Sequence, residues 1–143
     1  MDGTFRTSPP NFSQVFIIQA IHHGTYVPVV YALLANRKAV TYVHLFNVLF
    51  AEPNKCNKKI DPLLIMTDFD PGIAKAIILE FTEKTVRKGC FFHFSQAIYG
   101  HVKSGGLSAV YLDNLMIHSV IRKTMKLALV PEQHLPSLFA RLG

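Results

Sequence analysis

The chain has 143 residues, half of them hydrophobic, and its Lys and Arg residues outnumber its Asp and Glu residues to give a formal net charge of +6. This length and apolar content allow one domain with a hydrophobic core and exclude a disordered tail. The positive charge favours a polyanionic partner, but a solvated basic surface explains it equally well because the basic residues form no dense block. Two cysteines, Cys56 and Cys90, are too few for a disulfide framework and favour an intracellular protein.

An uncharged segment, residues 7–36, contains no Asp, Glu, Lys or Arg. Polar residues and a proline interrupt it, so its apolar runs at 15–21 and 27–35 are each only long enough for a strand. We therefore predict a hairpin and no membrane span, and the near-continuous apolar character of both strands indicates burial on both faces. His22 and His23 lie at the predicted turn, where they are either metal ligands or, more simply, exposed loop residues.

A helix is predicted after the hairpin, because apolar residues recur there at helical spacing. It begins after Thr41 as N-cap and ends near Pro53, before a polar, lysine-rich loop over residues 54–61. Its apolar face consists of Tyr42, Leu45, Phe46, Leu49 and Phe50.

The stretch at 63–77 predicts a strand, an acidic residue, a tight turn and a helix. Four apolar residues form a short buried strand that ends just before Asp68. Asp70 is predicted to cap the following helix, with Pro71 at its first position. The apolar face of this helix consists of Ala74, Ile77, Ile78 and Phe81. Asp68 would lie at the carboxyl end of the strand, where α/β sheets bind ligands and where a bound cation would offset the cost of burying a carboxylate.

The last third of the chain is predicted to hold one more strand, at 85–94, and then helices. The Gly105-Gly106 pair breaks the chain, and from Leu107 the pattern is helical, with a restart at Glu132 after Pro131. The chain as a whole is therefore expected to form an α/β fold, in which an antiparallel hairpin leads into an alternating strand–helix section.

Two acids at predicted strand ends, Asp2 and Asp68, are candidates for a metal site. Paired carboxylates on adjacent strands can hold Mg²⁺, and two such ions about 4 Å apart can drive phosphoryl transfer. Spacing alone leaves the alternative open, because an Asp before Gly is commonly a turn residue and an Asp before a helix is commonly a cap.

The pair Cys90 and His93 has the spacing of half a zinc site. Structural zinc needs four ligands, usually from two such pairs, and a second pair is missing from the sequence. A packed thiol and a hydrogen-bonded imidazole therefore explain the pair better than zinc does.

Several motifs, taken in order, resemble the transposase domain of Mutator-like elements (MULE). They are Asp2-Gly3-Thr4-Phe5, Thr67-Asp68, Cys90-x₂-His93, Leu33-Leu34 before an aromatic-rich helix, and the terminal Lys126-Leu127-Ala128-Leu129-Val130-Pro131. The resemblance covers nearly the whole chain, so residues 1–143 are expected to be a partial MULE domain with a helical insertion beginning near residue 107.

The resemblance implies a ribonuclease H-like mixed sheet of the DDE superfamily, with helices on its faces. Asp2 and Asp68 would be the first two catalytic acids and would bind Mg²⁺ or Mn²⁺, and Cys90 with His93 would match the Cys/His motif of the family. The partner would be DNA at the transposon ends, the location nuclear, and a homo-oligomer compatible with the family.

Two departures from the family pattern bear on activity. The third acid of the family follows the helical insertion and is not identified here, because Glu132 has the position of a first-turn helix acid. The first strand is expected to be truncated ahead of Asp2, which would leave a gap and unpaired backbone groups in the sheet.

Three functions are compatible with these observations. The first is a transposase catalytic-domain fragment, which cuts and joins DNA in the full-length protein and has little activity alone. The second is a transposase-derived DNA-binding or transcription-regulatory protein without catalysis. The third is a small protein-interaction module that keeps the fold. Metal binding favours the first, and salt-sensitive DNA binding without metal favours the second.

Overall fold

A computed structural model describes residues 1–4, 8–54, 57 and 59–142. Phe5, Cys56 and part of the predicted lysine-rich loop lie outside the described residues. The chain divides into two compact units, Met1–Gly89 and Cys90–Gly143. The first unit is mixed α/β and the second is helical, so the predicted α/β class is confirmed at this level.

The first unit is built from short strands and two helices. Its strands are β1 Asp2–Thr4, β2 Gln14–His22, β3 Thr25–Leu34, β4 Leu64–Thr67 and β5 Val86–Gly89, and its helices are α1 Ala39–Asn54 and α2 Pro71–Glu80. One sheet is antiparallel with the order β1-β2-β3, and the other pairs β4 with β5 in parallel.

The predicted hairpin is confirmed as β2 and β3. His23 and Gly24 form its turn with φ angles of 48° and 76°, the pair of positive values that a type I′ turn requires. Both histidines of the turn are exposed, and their rings lie 4.3 Å apart.

The helices α1 and α2 pack together and cover one face of the strands. The buried residues of this core are Phe16, Leu34, Tyr42, Phe46, Ile65, Ile73, Ala76 and Ile77. Phe81 closes one end of the core, because its ring meets Phe46 edge-on at 5.1 Å and Phe50 at 5.3 Å.

The predicted burial of the strands on both faces is wrong. Tyr31, Leu33, Leu64 and Met66 are 43–67% exposed, although each neighbours a buried or half-buried residue in its strand. Helices cover only one face of the strands within the first unit, and alternate side chains of a strand point to opposite faces.

The helix boundaries differ slightly from the predicted ones. Asp70 caps α2 and Pro71 begins it, as predicted, but the buried face of α2 includes Ile73 and Ala76 while Ile78 is 77% exposed. The first helix begins at Ala39, two residues before the predicted cap Thr41. The side chain of Asn36 organises this start, since its Oδ1 accepts hydrogen bonds from the Lys38 N–H and the Thr41 hydroxyl.

The second unit is helical almost throughout. Its elements are α3 Phe91–Ser104, α4 Ser108–Asp113, α5 Leu115–Lys126, α6 Leu135–Phe139 and two 3₁₀ turns, Leu127–Leu129 and Glu132–His134. The predicted strand at 85–94 is therefore correct only as far as Gly89. Phe94, Ile98 and Val102 recur at four-residue intervals, close to the helical period of about 3.6 residues, and Val102 is buried.

The helical pattern predicted from Leu107 onward is confirmed with interruptions. Asn114 divides the segment, because its side chain accepts hydrogen bonds from the N–H groups of Met116 and Ile117 and caps α5. Glu132 begins a 3₁₀ turn after Pro131, which agrees with the predicted restart. In the described part of the chain, no helix has the length and apolarity that crossing a bilayer would take.

Candidate functional site

Asp68 is the first residue after β4, in the turn that leads to α2. Its side chain is 22% exposed. One carboxylate oxygen, Oδ1, accepts a hydrogen bond from the Asp70 N–H at 3.2 Å, which is the way that Asp side chains stabilise tight turns. Asp68 therefore shapes the turn through one oxygen and presents the other, Oδ2, to the residues around it.

Asp70 lies two residues further on and is almost completely buried. Its Oδ1 accepts from the Gly72 N–H at 2.6 Å, which caps α2. Its Oδ2 accepts from the Arg37 Nε at 2.5 Å and from the Tyr42 hydroxyl at 3.1 Å. Three donors thus satisfy a carboxylate whose burial would otherwise be costly.

The Tyr42 hydroxyl extends this network to β2. Gln14 and Tyr42 are both 1% exposed, and the Gln14 Nε2 donates to the Tyr42 oxygen at 2.8 Å. The chain of hydrogen bonds from Gln14 through Tyr42 to Asp70 joins β2, α1 and the start of α2. Buried polar groups that are fully paired in this way fix the relative positions of the elements that carry them.

Arg37 reaches both aspartates from the segment between β3 and α1. Besides its contact with Asp70, its Nη2 lies 3.5 Å from the Asp68 Oδ2. The Arg37 backbone packs closely against the first turn of α2. A Cβ added to Gly72 would lie only 2.2 Å from the Arg37 carbonyl oxygen. Glycine at this position allows that close approach.

The pKa values in the network follow from these contacts. Burial alone would raise the pKa of Asp70, but the hydrogen bonds and charge of Arg37, with the Gly72 N–H and the Tyr42 hydroxyl, outweigh it and lower the pKa. Burial raises the pKa of Tyr42, and the nearby Asp70 charge adds to this. The pKa of Arg37 is raised, because its interactions with Asp70 and Asp68 outweigh its own desolvation. Asp70 is therefore held ionised, and Tyr42 is held neutral as a donor.

Asp2 lies on β1, opposite Ile17 of β2, and is exposed. The preceding residue connects the two sheets, since the Met1 nitrogen donates to the Met66 carbonyl oxygen at 2.8 Å. Asp68 follows Met66 by two residues, and with 3.8 Å between consecutive Cα atoms this contact keeps the Cα atoms of Asp2 and Asp68 within about 14 Å. Both acids therefore lie at the junction of the two sheets.

The family model for the MULE transposase domain matches residues 1–97 of the chain. The chain belongs to the MULE transposase family. No curated protein and no solved structure matches it. The matched residues take in Asp2, Asp68, Cys90 and His93, and transposases act on DNA, so DNA is the class of partner that the family implies.

The Cys/His pair of this MULE domain lies at the start of α3 in the second unit. Cys90 is the N-cap residue and is half-buried, and it forms no disulfide with any described residue. His93 follows in the first turn and is also half-buried. Within the described residues, no group of three or more His, Cys, Asp and Glu side chains is arranged to hold a metal ion. The metal-binding roles of Asp2 and Asp68 stay predictions.

The sequence pattern does not identify three residues of the network around Asp70 in the MULE domain, namely Arg37, Tyr42 and Gln14. Helical spacing correctly predicts the Tyr42 ring on the apolar face of α1 but carries no information about its hydroxyl. One signal for Arg37 does exist, because it is the first charged residue after the uncharged segment 7–36. A charged side chain next to such an apolar segment requires a carboxylate partner or solvent.

We predict that Gly72→Ala destabilises the MULE domain, by about 1–3 kcal/mol, because the new methyl group would overlap the Arg37 carbonyl. Urea unfolding followed by circular dichroism measures this. Gly100→Ala is the matched control, since a Cβ there meets nothing within 4 Å inside helix α3. The control should be neutral or stabilising by about 0.5–1 kcal/mol. Equal effects of the two changes would contradict the close packing at Gly72.

We also predict that the Asp70 network makes the stability of the domain sensitive to acid. The pKa of Asp70 is lower in the folded chain than its ordinary value of 3.8. Its contribution is therefore complete above that value and is lost as the pH falls through the folded value.

Asp70→Asn should lower the free energy of unfolding near neutral pH by about 1–3 kcal/mol and flatten its dependence on pH as the pH falls below the ordinary Asp value of 3.8. Unfolding curves above and below that pH test this, with Glu83→Gln, an exposed acid of the same unit, as the control. An unchanged acid dependence in Asp70→Asn would show that the network does not hold the carboxylate ionised.

Proposed function

We propose that this chain supplies Asp2 and Asp68 as metal-binding acids of a transposase catalytic domain, which cuts and joins DNA in the full-length protein with Mg²⁺ or Mn²⁺. The observation that carries the proposal is the position of Asp68. It directly follows β4, and the Met1–Met66 contact brings β1 and Asp2 beside the same strand. The MULE match over both residues supports the same assignment.

We infer a ribonuclease H-like arrangement for the sheet of the first unit. The order β3-β2-β1 in one sheet and β4-β5 in the other would become one mixed sheet if β1 and β4 were neighbours. The hydrogen bond from the Met1 nitrogen to the Met66 oxygen supports that neighbourhood. Within the described residues, β1 pairs with Val15, Phe16 and Ile17 of β2.

The two acids suit a hard divalent cation. Asp2 is exposed and Asp68 is partly exposed, so both carboxylates are accessible to a hydrated ion. Mg²⁺ is commonly held by one or two carboxylates, with water and substrate phosphates completing its shell. When bound, the ions would activate the attacking oxygen and stabilise the leaving oxygen of a DNA phosphodiester. The residues of this chain would contribute by fixing where those ions lie.

We propose that this chain by itself does not catalyse strand transfer. Within the described residues, no group of three or more His, Cys, Asp and Glu side chains is arranged to hold a metal ion, and in-line phosphoryl transfer depends on complete placement of the metals. We propose that strand transfer needs residues outside this chain and takes place in the nucleus. A joining assay with the DNA ends of the element tests this, and joining by the chain alone would overturn it.

Weak metal binding should nevertheless be measurable. We predict that Mn²⁺ raises the midpoint of thermal unfolding of the wild-type chain. An ion that binds only the folded state and is present at about 100 times its Kd adds about 2.7 kcal/mol to the free energy of unfolding. Asp68→Asn should abolish this shift, and Glu83→Gln should keep it.

The Mn²⁺ shift, together with a DNA-binding measurement, distinguishes the competing functions. A shift that persists in Asp68→Asn would mean that Mn²⁺ binds elsewhere, and the catalytic assignment would fail. DNA binding that falls steeply with salt and ignores Mn²⁺ would instead indicate a DNA-binding protein without catalysis.

A further inference from the structure

Arg37 is held next to Asp68 by contacts that do not involve Asp68. Its Nε donates to the buried Asp70, and its backbone carbonyl packs against Gly72 at the start of α2. The guanidinium end then extends to within 3.5 Å of the Asp68 Oδ2. A fixed positive charge therefore lies beside the carboxylate that we assign to metal binding.

We propose that Arg37 is a positioning residue that competes with the divalent cation for Asp68 and so sets the metal affinity of the site. The proposal rests on the proposed function of Asp68. In the metal-free domain, Arg37 balances part of the Asp68 charge and holds the side chain in place. A bound cation must replace the interaction between Arg37 and Asp68. It must also overcome repulsion from the guanidinium, which stays nearby because Asp70 keeps Arg37 anchored.

The geometry distinguishes this role from simple neutralisation of Asp70. The Arg37 Nε contacts Asp70, whereas the Nη2 lies 3.5 Å from the Oδ2 of Asp68, a carboxylate that is more exposed. The Arg37 side chain is itself 45% exposed, so solvent screens its charge in part and its effect on the cation is expected to be moderate.

The test measures Mn²⁺ dissociation constants on the full chain by electron paramagnetic resonance of free Mn²⁺. Arg37→Gln should tighten Mn²⁺ binding roughly fivefold, the equivalent of about one exposed charge interaction. Lys38→Gln is the matched control, because it removes the same charge from the next, exposed residue and should change the constant by less than about twofold. Arg37→Lys keeps a cation in place and should stay close to wild type.

A second variant covers the case in which Arg37→Gln fails to fold. Asp70→Asn removes the charge that anchors the Arg37 Nε, while the Nη2 still faces the Asp68 carboxylate, so Mn²⁺ binding should weaken. The double variant Arg37→Gln with Asp70→Asn should bind Mn²⁺ more tightly than Asp70→Asn alone. Because the double variant has no carboxylate at position 70, tighter binding in it cannot come from an unpaired Asp70 acting as a metal ligand.

Two outcomes would overturn the proposal. One is an unchanged or weaker Mn²⁺ affinity in folded Arg37→Gln, which would make Arg37 a structural partner of Asp70 alone. The other is equal tightening in Lys38→Gln, which would reduce the effect to net charge. Failure of the proposed function is recognised separately, because wild-type Mn²⁺ binding would then survive Asp68→Asn.

Discussion

The first unit depends on one buried carboxylate. Asp70 caps α2 and accepts hydrogen bonds from Tyr42 of α1 and from Arg37, which precedes α1. A charge at this depth is tolerated because each of its oxygens accepts hydrogen bonds, and removal of a donor would weaken the compensation of a buried charge. The junction of β4, α1 and α2 is therefore specified by polar geometry as well as by the apolar core.

The same carboxylate organises the candidate site. Asp70 donates its backbone N–H to Asp68 and holds the arginine that contacts the other oxygen of Asp68. Asp68 is thus oriented from both sides, while its own side chain keeps access to solvent. Rigid support by neighbouring residues is what a metal-binding or catalytic carboxylate needs, since small displacements of a reacting group are costly in rate. Membership of the MULE family implies DNA as the class of partner, and we propose that this arrangement serves that partner.

Much of the local structure could be predicted from the sequence, because its signals lie within a few residues of each other. The hairpin turn at His23, the cap at Asp70 and the helical restart at Glu132 are of this kind. The contacts that complete the site could not be predicted from the sequence, because they join residues about 30 positions apart. Examples are the contacts of Tyr42 and Arg37 with Asp70. The start of α3 was missed for another reason, since Phe91 and its aromatic neighbours favour strands when they are considered without their helical spacing.

The most direct measurement of the central assignment is a crystal structure of the chain soaked in Mn²⁺, with the ion located by its anomalous scattering. We predict an ion bound by the carboxylates of Asp68 and Asp2, with the two carboxylates close enough to share a site that spans about 4 Å, and with Arg37 still bound to Asp70. An ion elsewhere, or Asp2 and Asp68 carboxylates more than about 10 Å apart, would contradict a shared metal site.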